Sequence, residues 1–97
     1  MVRWTSPAKN DLKKIYDYIA SDTKYYAKKV VQDIVETTQK LNDFPEIGRM
    51  IPEFNDNKIR ELIIYSYRLV YEVKNGDVDI LAIVHGKRDF FSVCHPV

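Results

Sequence analysis

The chain has one cysteine, Cys94, so an internal disulfide is impossible and a reducing compartment is the expectation. Its three glycines are scattered singly, which excludes a glycine-rich phosphate loop. His85, Cys94 and His95 lack the spacing of a structural zinc site, so neither a metal nor a cofactor is expected. Uncharged apolar stretches such as Leu62 to Tyr67 and Ile80 to His85 are far too short to span a bilayer. Met1-Val2-Arg3-Trp4 has no signal-peptide h-region, and a cytoplasmic protein without membrane contact is expected. What is present is globular: 97 residues, 45% apolar and 30% charged, excluding disorder, collagen and a disulfide scaffold. That length allows a single domain over residues 1–97 with one two-layer core.

The net charge of +1 is unevenly spread, at +4 over residues 1–29, −4 over 30–57 and +1 over 58–97. Proteins whose affinity comes from neutralising phosphates carry a larger overall excess. The basic first third therefore reads as a solvated helix face, with nucleic-acid binding permitted but not indicated.

Val2 to Thr5 favours a short strand. Ser6-Pro7 then reads as a cap and first helical turn, and Ala8, Leu12, Ile15 and Ile19 make one apolar stripe on a helix to about Ala20. Ser21-Asp22-Thr23 breaks that pattern and caps a second helix. Its stripe, Ala27, Val30, Val31, Ile34, Thr38 and Leu41, runs to about Asn42 or Asp43. The short connection implies an antiparallel helical hairpin. Phe44 to Asn57 contains Pro45, Gly48 and Pro52 and is expected to be an ordered loop without regular structure.

After residue 58 the period changes. Ile59 to Tyr65, Tyr67 to Lys74 and Val78 to His85 are rich in strand formers, and Asn75-Gly76 marks a two-residue hairpin turn because both positions require positive φ. That turn predicts Lys74 opposite Asp77, Val73 opposite Val78, and onward to Arg68 opposite Ile83. Tyr67, Leu69, Tyr71 and Val73 would share one face with Val78, Ile80, Ala82 and Val84. Arg68, Val70, Leu81 and Ile83 would occupy the other, with His85 diagonally near Arg68. The fold class expected is α+β: a short N-terminal strand, then an antiparallel two-helix hairpin packed on an antiparallel β-sheet, in the order β-α-α-β-β-β. The sheet face opposite the helices would be apolar, flanked by charge.

Arg68 lies in mid-strand among apolar neighbours. It either pairs with a carboxylate such as Glu61 or Glu72, or waits for an anionic partner. His85-Gly86-Lys87-Arg88-Asp89 turns sharply after the last strand and gathers an imidazole and two cations. With Arg68 these groups suit metal-free RNA cleavage, the imidazole moving a proton while cations stabilise the phosphate. The plainer reading is a solvated strand end with His85 donating to a carbonyl. Phe90-Phe91-Ser92-Val93 is an apolar tail that either folds back as core or docks a partner, with Phe90, Phe91 and Val93 the candidate contacts.

Trp4, Ala8…Asp11-Leu12…Ile15…Tyr18-Ile19, Leu41…Pro45…Gly48-Arg49…Pro52, Ile59-Arg60-Glu61-Leu62, Tyr67 to Val73, and Ile80-Leu81…His85-Gly86…Arg88-Asp89 together resemble the RelE/ParE superfamily of type II toxins. The resemblance implies a growth-inhibiting toxin with the fold described above, neutralised by a small antitoxin protein. RelE-like members cut mRNA in the ribosomal A site without metal, whereas ParE-like members poison DNA gyrase. Arg68 and Arg88 match two RelE-type catalytic arginines. The RelE strand lysines fall on Ile59 and Glu61, its tail tyrosine falls near Cys94, and Lys58 and Arg60 are one position out of phase. Pro45 to Arg49, Ile59 to Leu62 and His85 to Arg88 look more ParE-like, and the near-neutral charge fits a protein target. The resemblance therefore points first to gyrase inhibition through Arg68, His85, Lys87 and Arg88. A ribosome-dependent mRNA endonuclease, with His85 as acid–base group, is the alternative, and a degenerate toxin keeping only antitoxin binding is the third.

Overall fold

The computed structural model describes residues 1–85. In chain order these form strand β1 (Val2–Trp4), helices α1 (Ser6–Ala20) and α2 (Lys24–Gln39), a 3-10 turn (Lys40–Asn42), and strands β2 (Arg49–Met50), β3 (Ile59–Ile64), β4 (Tyr67–Lys74) and β5 (Asp77–His85). The sheet order is β1-β5-β4-β3-β2. Both apolar helix stripes fall where the spacing puts them: Ala8, Ile15, Val30, Ile34 and Leu41 pack on Leu69, Tyr71, Val78, Ile80 and Ile83. Among the described residues no helix is long and apolar enough to cross a membrane.

The cap of α1 is Thr5 rather than Ser6. Its Oγ1 accepts from the Ala8 amide at 3.4 Å and donates to the Ile80 carbonyl at 2.7 Å. One hydroxyl thus starts the helix and fastens it to β5, which Ser6, one position farther along, does not do. Thr23 caps α2 by accepting from the Tyr26 amide.

The sheet is mixed rather than wholly antiparallel. β1 runs parallel to β5, Val2 to Trp4 lying beside Val78 to Ile80, because the helical hairpin carries the chain across before the meander begins. Past Trp4, Asp11 of α1 takes over that edge by accepting from the Ile83 amide at 3.0 Å.

The Asn75-Gly76 turn has φ of 50° and 81° as its sequence requires, and the expected pairing holds from Lys74↔Asp77 to Tyr71↔Ile80. A bulge between Val70 and Tyr71 then leaves Leu81 without a partner, so Val70 faces Ala82, Arg68 faces Val84 and Tyr67 faces His85. The inferred pairing of Arg68 with Ile83 is corrected by one residue. Each side chain beyond the bulge accordingly changes face: Ile83 joins the core beneath the helices, while Leu81 packs with Val70 on the other side. The β3–β4 hairpin closes through Tyr65-Ser66 with Ile64 opposite Tyr67. Tyr65 sits at φ 56°, a left-handed conformation that costs a non-glycine residue about 1–2 kcal/mol.

The segment over residues 44–57 is not wholly irregular, since Arg49 and Met50 pair with Glu61 and Arg60 as a two-residue edge strand. This segment also wraps the sheet edge. On the helix side the Gly48 amide donates to Tyr71 Oη at 2.8 Å, and the Arg60 guanidinium donates to the Gly48 carbonyl at 2.8 Å. On the far side Ile51 and Val70 are buried, with Phe54, Ile59 and Leu81 packed around them. The face expected to be bare therefore carries a second small core.

Gly48 sits where the segment crosses, and no side chain fits there. A Cβ would lie 2.5 Å from Tyr71 Oη and 2.6 Å from the Glu61 carbonyl oxygen. Gly48→Ala should cost about 3 kcal/mol by overpacking. Gly76→Ala, where only positive φ matters, should cost about 1 kcal/mol. Urea denaturation of both variants checks the order; equal losses would mean that the crossing does not press on Tyr71.

Candidate functional site

The far face of the sheet holds a buried ion cluster. β3 alternation puts Ile59, Glu61 and Ile63 on that face, and β4 places Arg68 opposite Ile63 and Val70 opposite Glu61. Glu61 is thus diagonal to Arg68, while β2 sets Arg49 directly across from it. The Glu61 side chain is 0% exposed and Arg68 only 14%. Arg68 donates Nη2 and Nε to Glu61 Oε2 at 2.5 and 3.1 Å. Arg49 donates Nε and Nη2 to Oε1 at 3.1 and 2.9 Å. Glu53, from the segment covering this face, approaches Arg68 Nη2 at 4.0 Å. Of the two carboxylates the sequence offered Arg68, the structure uses Glu61; Glu72 lies across from Asp79 and pairs with Lys74 at 3.4 Å.

Burial by itself would raise the Glu61 carboxyl. The hydrogen bonds and charges of Arg68 and Arg49 outweigh it and hold that carboxyl below its ordinary 4.5. The carboxylate is the form the folded protein requires.

Beside this cluster, at the end of the sheet, lies a depression of about 610 Å3. Arg49, Glu53 and Arg68 border it on one side, Ile63, Tyr65 and Ser66 on another, and His85 closes it. The Tyr65 hydroxyl donates to Asp33 Oδ2 on α2, a carboxylate also 3.8 Å from Lys29. That hydrogen bond, with lesser contributions from desolvation and the Asp33 charge, pushes the phenol up to about 12. Tyr67 is also raised, by burial first and then by Tyr18 and Tyr26.

Arg68 and His85 both border the depression, but they do not share a face as the uncorrected register implied. The bulge sets His85 opposite Tyr67, where the two rings meet edge-on at 5.9 Å and 87°. Lys87, Arg88, Phe90, Phe91 and Val93 lie outside the described residues. Arg49, Glu53 and Tyr65 were not singled out from sequence. Arg49 belonged to the Gly48-Arg49 motif, but nothing there revealed that its segment reaches β3. Tyr65 had no glycine beside it to signal a positive-φ turn. Among the described residues no group of three or more His, Cys, Asp or Glu side chains could hold a metal ion.

Replacing Glu61 tests the cluster. Glu61→Gln leaves a nearly buried guanidinium without its counter-charge, a loss of about 3 kcal/mol at pH 7. Because the folded carboxyl lies below 4.5, the stabilisation is full above that value and fades as pH falls through the lowered one. Thermal unfolding of both proteins should therefore show a wide gap at neutral pH that narrows in acid. A gap that widens in acid would contradict the assignment.

Residues 2–90 match the family model described as ParE toxin of type II toxin–antitoxin system, parDE. Toxin RelE2 of Caulobacter vibrioides is 32% identical over 88 residues, covering 90% of this chain and 96% of that protein. Among solved structures, a chain of the chromosomal ParDE TA system from P. aeruginosa superposes with a TM-score of 0.71 at 31% identity, covering 87% of this chain and 92% of that one. The helical hairpin on its sheet and these matches have one reading: this chain belongs to the ParE toxin family of type II toxin–antitoxin systems.

Proposed function

We propose that this toxin acts as ParE-like members do, by binding DNA gyrase and inhibiting it, with Arg68, His85, Lys87 and Arg88 as its candidate functional residues and no chemical step of its own. The observation that carries this reading is Glu61. A RelE-type mRNA endonuclease has a strand lysine at this position, and here a buried carboxylate holds Arg68 instead. A scissile phosphate reaching for Arg68 would meet that carboxylate. Two like charges about 4 Å apart repel by about 4 kcal/mol at an effective dielectric of about 20, enough to offset one arginine–phosphate contact. A protein target makes no such demand, because its contacts do not require a bare cation at a reacting centre.

Supercoiling by purified gyrase, with and without the chain, tests the proposal. Inhibition is expected, with the half-inhibitory concentration raised about tenfold by Arg68→Ala or Arg88→Ala. Unaltered supercoiling together with A-site cuts in ribosome-bound mRNA would establish the endonuclease reading in its place.

The second partner is a cognate antitoxin, and we place its contact on the apolar tail, at Phe90, Phe91 and Val93. An amphipathic antitoxin segment covering these side chains would bury apolar area. Isothermal titration with the neighbouring gene's product should show weaker binding after deletion of residues 90–97. Undiminished affinity would exclude the tail.

A further inference from the structure

The β3–β4 turn has a feature that packing does not explain. Tyr65 holds φ at 56°, where glycine would be unstrained, yet its side chain is not in the core: the residue is 46% exposed. Its hydroxyl bond to Asp33 is itself exposed, so water competes with it and it adds little stability. What that bond does is tie the turn to α2, with Tyr65 lining the depression. Ile63 stands beside it, 58% exposed on the same rim, although a β-branched apolar side chain gains nothing from water. Backbone strain, a tyrosine tied to α2 and an exposed isoleucine thus coincide at one edge.

Across the depression is a cation with donors in reserve. Arg49 is 68% exposed and gives Nε and Nη2 to a single Glu61 oxygen, its Nη1 engaging none of the described residues. Glu53, the acidic group on that rim, turns toward Arg68. The depression therefore has Tyr65 and Ile63 on one side and two guanidiniums on another, of which Arg49 is the exposed one and Arg68 is nearly buried. A nucleic-acid backbone would bring a row of phosphates against Glu53 as well as Arg49. A polypeptide bearing one acidic side chain next to one apolar side chain complements both walls.

We infer that Tyr65 and Ile63, facing Arg49, form the recognition edge for a segment of the target protein that presents an apolar residue beside an acidic one. This rests on the reading of the chain as a gyrase inhibitor, with purified gyrase holoenzyme as the probe. Tyr65→Gly removes the ring and relieves the backbone. It should keep or raise the melting temperature while raising the half-inhibitory concentration about tenfold. Tyr65→Phe keeps the ring but loses the bond to Asp33, and should weaken inhibition less than Tyr65→Gly does. Ile63→Thr keeps strand propensity and should weaken inhibition about fivefold; it decides the question if Tyr65→Gly lowers the melting temperature. Undiminished potency in stable Tyr65→Gly, or in Ile63→Thr, overturns the recognition edge and leaves gyrase inhibition standing. A parent chain without effect on gyrase removes both.

Discussion

Glu61 is the group on which the far side of this molecule is organised. A carboxylate with no exposed side-chain surface is tolerable only when fully paired, and here Oε2 accepts from Arg68 and Oε1 from both Arg49 and Arg68. The two arginines come from different strands, so the cluster joins β2, β3 and β4 in one electrostatic unit, and Glu53 adds the covering segment to it. Such a unit does more for geometry than for net stability, because desolvation consumes much of the Coulomb attraction. Its effect is to hold Arg68 at a defined place on the rim of the depression.

That placement depends on the chain's crossing from one face of the sheet to the other. Gly48 passes close enough to Tyr71 for its amide to donate to the phenol, and Arg60 clasps the Gly48 carbonyl from the strand behind. Once across, Ile51 and Phe54 close a second core over Val70 and Leu81. Burying even this small apolar area excludes water from one side of the ion cluster and strengthens its hydrogen bonds. The larger helix-side core and the smaller far-side core are thus linked through one glycine and one tyrosine.

The helices were legible from spacing. An amphipathic stripe is a local property, and Ala8 to Ile19 and Ala27 to Leu41 bury the residues their periodicity selects. The Asn75-Gly76 turn was equally legible, because positive φ at two successive positions is a local steric demand. The bulge at Val70/Tyr71 was not. Its extra residue, Leu81, shifts the register of β5 by one, and no residue type in the stretch announces it. From that one-residue shift follows the separation of His85 from the face of Arg68. The cap at Thr5 was missed for a related reason: serine is intrinsically the better cap, and contact with the Ile80 carbonyl decides for Thr5.

Composition, periodicity and turn chemistry by themselves determined the class of fold and the order of its main elements, since these rest on neighbours in sequence, while the family was legible only as a resemblance of motifs. Tertiary structure alone decided the parallel docking of β1, the two-residue strand at Arg49–Met50 and the covered far face. It alone chose Glu61 over Glu72 as the partner of Arg68 and set Tyr65 at the edge of the depression. Each of these depends on groups on different elements meeting in space, where burial and charge, rather than local conformational preference, choose the partner.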